Sequence, residues 1–140
     1  MARSTTSIRL DDDLRRQLAA QAAAEGTTVT ELIERFVREG LASAAHPGIV
    51  FKPGPAGRRA ALAGGPDVWE IIAALRDTTG PESERVRTVA EQLGLHERQV
   101  LIALEYAAAH RGEIEARVAA NDEALAHAER LESERQRLLA

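Results

Sequence analysis

Hydrophobic and polar positions change their period several times along the chain. Residues 5–10, Thr-Thr-Ser-Ile-Arg-Leu, finish with a period of two: Ile8 and Leu10 fall on one side, Thr5, Ser7 and Arg9 on the other. That alternation predicts a short strand with one apolar face. The period then lengthens, and Leu14, Leu18 and Ala22 recur as the buried stripe of a helix. Asp11 stands at its N-cap, Asp12 and Asp13 place carboxylates in the first turn, and Gly26 ends it. Thr28 and Glu31 have capping-box spacing and open a second helix with Val29, Leu32, Ile33, Phe36, Val37 and Leu41 as its apolar positions. Small residues from Ala42 to Ala45, followed by His46-Pro47-Gly48, set a boundary near residue 45. The Gly- and Pro-rich stretch 46–66, with Ile49-Val50-Phe51 and Ala60-Ala61-Leu62 on its flanks, predicts a hairpin or ordered loop. Helical patterns return at 67–77 and near 83–93, 97–110 and 112–138.

Composition narrows the class. The chain has 140 residues, enough for one domain or two small ones, and only Phe36, Phe51, Trp69 and Tyr106 are large aromatics. Ala-rich segments and few aromatics favour a mainly α protein. Trp69 and Tyr106 are expected in a small core. There is no Cys, which removes disulfides, thiolate metal sites and thiol nucleophiles together. No apolar run approaches the roughly 20 residues that span a bilayer, and residues 1–10 lack the apolar region of a signal peptide. The expected location is the cytoplasm. His46, His96, His110 and His127 show no metal-ligand spacing, Gly64-Gly65 lacks a following Lys-Ser or Lys-Thr, and no Gly-x-Ser-x-Gly elbow occurs. No metal, cofactor or enzymatic activity is expected.

The formal net charge is -4, but it is unevenly spread: -1 over 1–45, +3 over 46–66, -4 over 67–110 and -2 over 111–140. Residues 1–10 carry Arg3 and Arg9 with no acid, and a second basic group is Lys52, Arg58 and Arg59. Such a chain would meet nucleic acid at a defined surface rather than through a diffuse field. A lone strand needs a partner for its backbone donors and acceptors, and about 45 residues make too small a core to fold unaided. Two copies are therefore expected to pair antiparallel over residues 5–10, with Ile8 and Leu10 packed on four helices. Thr5, Ser7 and Arg9 of both chains would line the open face. A two-stranded ribbon fits the DNA major groove, where Arg makes a bidentate contact to guanine. Backbone N–H groups at the start of the second helix, around Thr28, Val29 and Thr30, are placed to hold a phosphate, with Arg3 as a further phosphate contact.

In strand pattern, in the Gly between the helices and in the Thr-x-Thr opening of the second helix, residues 5–41 resemble the ribbon-helix-helix repressors of the CopG, Arc and MetJ kind. The resemblance implies an obligate homodimer, able to assemble further on its operator, that reads double-stranded DNA through Thr5, Ser7 and Arg9. A dimerisation ribbon that never meets DNA, on which Arg9 is only a solvated residue, is the competing reading. The three aspartates need no role beyond the helix start.

Residues 83–106 carry a helix-turn-helix logic. Ala90 lets a second helix approach, Gly94 sits where the turn needs a positive φ, and Val100 and Leu104 pack back. His96, Glu97, Arg98, Gln99, Ile102 and Glu105 would face outward, and the acid excess of 67–110 argues against phosphate binding. Lys52, Arg58 and Arg59 on a wing, together with Arg98, are the candidate secondary DNA contacts. The stretch from His46-Pro47-Gly48-Ile49-Val50-Phe51 through Gly57-Arg58-Arg59 and Asp67-Val68-Trp69-Glu70 to Ala107 resembles a small domain of bacterial VapB-type antitoxins. That resemblance implies a winged-helix-like domain over 46–140 that binds a PIN-like ribonuclease toxin. Residues 112–140 add a long charged helix with a thin apolar line, Ile114, Val118, Leu125, Ala128, Leu131 and Leu138; Asn121, Glu132 and Arg135 interrupt an extended coiled-coil seam. Arg130, Arg135 or Arg137 is the candidate toxin contact. The expected whole is a dimerisation and DNA-binding domain over 1–45 and a partner-binding domain over 46–140, acting as an autoregulating repressor and antitoxin. The alternative is a regulator with two DNA-reading modules and no toxin.

Overall fold

The computed structural model describes residues 2–140, which form two compact units divided between Leu41 and Ala42. In the first unit, residues 2–11 carry no regular secondary structure. Helix α1 (Asp12–Glu25) follows, with Asp11 as N-cap: its Oδ1 accepts the Leu14 N–H at 2.8 Å. Gly26, at φ 67°, turns the chain out of α1 in the left-handed conformation that glycine adopts without cost, and Thr27 N–H closes the turn on Ala22 O. Helix α2 (Val29–Ala45) follows directly on Thr28, and its last residues, 42–45, count with the second unit. The core of the first unit is Leu18, Ala22 and Leu32, with Leu10 and Ile33 packed against it.

The strand over 5–10 is expected only where two copies pair, and the single chain carries none there. A strand exists through its hydrogen-bonded neighbour, and no segment of this chain supplies one, so Ile8 stays 62% exposed. Leu14, expected in the buried stripe, is 40% exposed, because α2 covers only the Leu18 and Ala22 end of that stripe.

The second unit opens with an antiparallel hairpin, β1 (Ile49–Lys52) and β2 (Arg59–Leu62), in the register Ile49 to Leu62 through Lys52 to Arg59. Four helices follow: α3 (Val68–Arg76), α4 (Glu82–Leu93), α5 (Glu97–Ala109) and α6 (Arg111–Leu139). Helix α3 packs against α4, α5 and α6, α4 against α5, and the hairpin against α3 and α5. Between them lies a continuous core that includes Ile49, Leu62, Val68, Ile71, Val89, Val100 and Tyr106. As expected, Gly94 takes a positive φ, 66°, between α4 and α5, and Leu95 N–H reaches back to Ala90 O at 2.8 Å. Trp69 is only half-buried at the edge of this core. The molecule is mainly helical, with one two-stranded sheet and a 29-residue last helix.

Candidate nucleic-acid interface

The first unit leaves two surfaces bare, one polar and one apolar. On the polar side, Thr5, Ser7 and Arg9 are exposed, and among the described residues none has a hydrogen-bond or ion-pair partner. Arg3 is held by Glu34 in an exposed ion pair of 3.3 Å, which solvent and salt weaken enough for a phosphate to compete.

The N-terminus of α2 is more heavily occupied than its sequence suggests. Thr28 Oγ1 accepts the Glu31 N–H at 3.1 Å. The Glu31 carboxylate in turn accepts the Thr27 hydroxyl at 2.7 Å and the Thr28 N–H at 3.4 Å. The Thr27 hydroxyl, followed by the Thr28 backbone and side chain, holds the Glu31 carboxyl below its ordinary range. The capping box therefore consumes the Thr28 hydroxyl and N–H. The backbone N–H groups of Val29 and Thr30, on exposed residues, have no acceptor among the described residues and remain available to an anion. The same geometry sets an ionised carboxylate next to them, so a phosphate arriving there meets a favourable helix end and one unfavourable charge.

On the apolar side, Ile8, Val29, Phe36, Val37 and Leu41 are exposed by a third to two thirds of their surface. Arg35 braces the helix pair beneath them. Its two terminal nitrogens each meet a Glu25 carboxylate oxygen at 3.1 Å, its Nε lies 3.7 Å from Glu39, and its guanidinium sits 5.1 Å from the Phe36 ring centre. Sequence reasoning missed this brace. The only signal was a Glu and an Arg ten positions apart across a turn, too far for any helical spacing rule.

In the second unit the basic hairpin faces its own chain. Lys52 Nζ donates to Gly65 O at 2.8 Å, Arg58 donates to Phe51 O at 3.2 Å, and Arg59 pairs with the buried Asp67 and donates to Pro53 O. Arg117 of α6 donates to Arg58 O at 2.8 Å, tying the hairpin tip to the last helix. Arg98 is exposed at the start of α5 without an ion pair among the described residues, while its neighbour Glu97 lies 3.6 Å from Arg87. On α6, Arg135 pairs with Glu132 at 3.0 Å and Arg137 with Glu134 at 2.7 Å, each within its own helix turn. Arg130 is exposed, and no described residue pairs with it.

The histidines do not converge on a metal site, and among the described residues no cluster of three metal-ligating side chains occurs. His110 stacks on Tyr106 with ring centres 4.2 Å apart, and His46 meets the same ring edge-on at 5.2 Å. The Tyr106 hydroxyl donates to Glu113 at 3.0 Å; burial, then the Glu113 charge, pushes the phenol well above its ordinary pKa. That cluster is structural and joins the chain after α2 to α5. No helix among the described residues is long and apolar enough to cross a membrane.

No curated protein and no solved structure matches the chain. Residues 4–43, which hold both bare surfaces, the capping box and the Arg35 brace, match the family model of ribbon-helix-helix proteins of the copG family.

Proposed function

We propose that this protein is a DNA-binding transcription regulator whose first unit works as a pair of copies. The observation that carries the reading is the division of surfaces on the segment that matches the ribbon-helix-helix model. Thr5, Ser7 and Arg9 are exposed without partners on one side, and an apolar face that includes Phe36, Val37 and Leu41 is left uncovered on the other. Pairing covers the apolar face and gives residues 5–10 the strand neighbour that a single chain lacks. The ribbon so formed presents two copies of Thr5, Ser7 and Arg9 to the major groove, while Val29 N–H, Thr30 N–H and Arg3 hold phosphates. Arg3 must leave Glu34 to do so. A footprint of the full chain on the DNA upstream of its own gene tests this. The expected result is a protected, two-fold symmetric site that disappears when Thr5, Ser7 and Arg9 are all replaced by Ala; protection that survives the triple replacement rules the ribbon out.

A narrower reading adds a protein partner: the second unit binds a PIN-like ribonuclease toxin, and the chain is its antitoxin. It is favoured over a second DNA-reading head by the inward engagement of Lys52, Arg58 and Arg59, which leaves Arg98 as the one exposed candidate on an acidic stretch. On α6, Arg130 is the arginine free to enter a carboxylate-rich site, since Arg135 and Arg137 are already paired. Co-purification with the product of the adjacent reading frame tests it. Replacing Arg130, Arg135 and Arg137 together by Ala should abolish inhibition of that product, and intact inhibition would sink the reading.

A further inference from the structure

The acid-free segment 1–10 carries two cationic side chains, Arg3 and Arg9, and the chain treats them differently. Arg9 has no partner among the described residues. Arg3 Nη1 lies 3.3 Å from Glu34 Oε1 on α2, 31 positions away in sequence, and the two side chains are 85% and 43% exposed. Glu34 has no other hydrogen-bond or ion-pair partner among the described residues. One turn earlier on α2, Glu31 is not free to take its place, because its carboxylate is engaged by the Thr27 hydroxyl and the Thr28 N–H.

We propose that Glu34 is an internal competitor for DNA phosphate: it occupies Arg3 in the free chain, is displaced on binding, and so sets how tightly the chain holds any DNA without changing which sequence it prefers. The proposal rests on the reading of the first unit as the DNA-binding part. A carboxylate and a phosphate offer a guanidinium the same chemistry, a pair of anionic acceptor oxygens. Exchanging one for the other gains little, and it leaves an ionised carboxylate close to the DNA backbone. At this exposure the internal contact is weak, a matter of a few-fold in affinity rather than orders of magnitude. A solvated ion pair therefore restrains Arg3 without locking it.

Two consequences separate competition from a general effect of charge. Phosphate contacts carry no sequence information, so Glu34 lowers affinity for the preferred site and for unrelated DNA by the same factor and leaves discrimination to Thr5, Ser7 and Arg9. The second concerns salt. A cation that meets a phosphate releases a condensed counterion and adds about 0.9 to the slope of log affinity against log salt. When Arg3 leaves Glu34, the bared carboxylate draws a cation back and offsets that release. Arg3 thus contributes almost no salt dependence while Glu34 is present.

Fluorescence anisotropy of the full chain with two labelled duplexes, one from upstream of its own gene and one of scrambled sequence, tests this over about 50 to 200 mM salt. E34Q keeps the size of an exposed side chain and removes its charge. It is expected to bind both duplexes about threefold more tightly and to steepen the salt slope by about 0.9. On an R3A background the same substitution should change neither quantity. An equal gain with and without Arg3 would mean that removing any negative charge suffices, and would overturn the proposal. A gain confined to the upstream duplex, or an unchanged slope, would overturn it as well. Failure of the underlying reading looks different: the unmodified chain would bind neither duplex, and the proposal would fall with it.

Discussion

Leu32 of the first unit and Ile71 of the second are both almost wholly buried, yet they sit in cores of different kinds. Ile71 lies within a cluster of sixteen buried residues drawn from a hairpin and four helices, which closes on itself. Leu32 has only Leu18 and Ala22 as buried companions, and around them Ile8, Leu14, Phe36, Val37 and Leu41 stay exposed. A fold of about 40 residues with three buried side chains falls short of the entropy it must offset. The second unit closes a large core within one chain, whereas the first leaves most of its large apolar side chains uncovered. The same contrast holds for charge. In the second unit Lys52 and Arg59 bind their own backbone or a buried acid, and in the first unit Arg9 has no partner among the described residues.

The contrast can be broken first at the two cores. Ile71→Ala should destabilise the second unit by about 2–5 kcal/mol, the usual cost of emptying a fully buried aliphatic site. Chemical denaturation should show that loss to be independent of protein concentration. Phe36→Ala should instead weaken pairing of the first unit by about 2–4 kcal/mol, as removal of an interface anchor does. Sedimentation equilibrium should register it as a raised dissociation constant while the unfolding of the second unit is unmoved. If Phe36→Ala left the association of the first unit untouched, that unit would be complete in itself and the comparison would collapse.

Smaller effects sharpen the same line. Asp11→Ala removes the N-cap acceptor of the Leu14 N–H and should cost about 1 kcal/mol. The proposed pairing of the first unit links its folding to association, so that loss should be recovered by raising protein concentration, which melting curves over a concentration series would reveal. The smallest expected effect concerns Glu31. Its folded pKa lies below the ordinary 4.5, so the stabilisation from its capping bonds is present above that value and lost as pH falls through the lowered one. In a melting series from pH 6 downward, Glu31→Gln should remove that part of the acid sensitivity; an identical acid profile would mean that the Thr27 and Thr28 bonds contribute nothing.

How much of this was legible in the sequence follows the range of the interactions concerned. Local chemistry was readable: the Asp11 cap, the Thr28 and Glu31 capping box and the positive φ at Gly94 all follow from residue type at close spacing. The strand over 5–10 was readable as a pattern but is not present as structure in one chain, because no described segment of the chain lies beside it to accept and donate its backbone hydrogen bonds. The basic hairpin showed its charges but not their direction. Whether Lys52 reaches solvent or Gly65 O depends on the register of β1 on β2, which residue types alone do not specify. The Arg35 brace was hidden for the same reason, since it rests on how α1 turns back onto α2 rather than on any spacing within one helix. On α6 the sequence located the apolar line, and the structure adds where burial stops, after Val118.

The most direct test of the central claim sets the free arginine of the incomplete unit against that of the finished one. Binding of the full chain to labelled DNA from upstream of its own gene, followed by fluorescence anisotropy, should weaken by about 1–3 kcal/mol for Arg9→Ala, with reduced discrimination against unrelated DNA. Arg98→Ala should leave affinity and discrimination as they were. Undiminished binding by Arg9→Ala, or an equal loss from Arg98→Ala, would contradict the account.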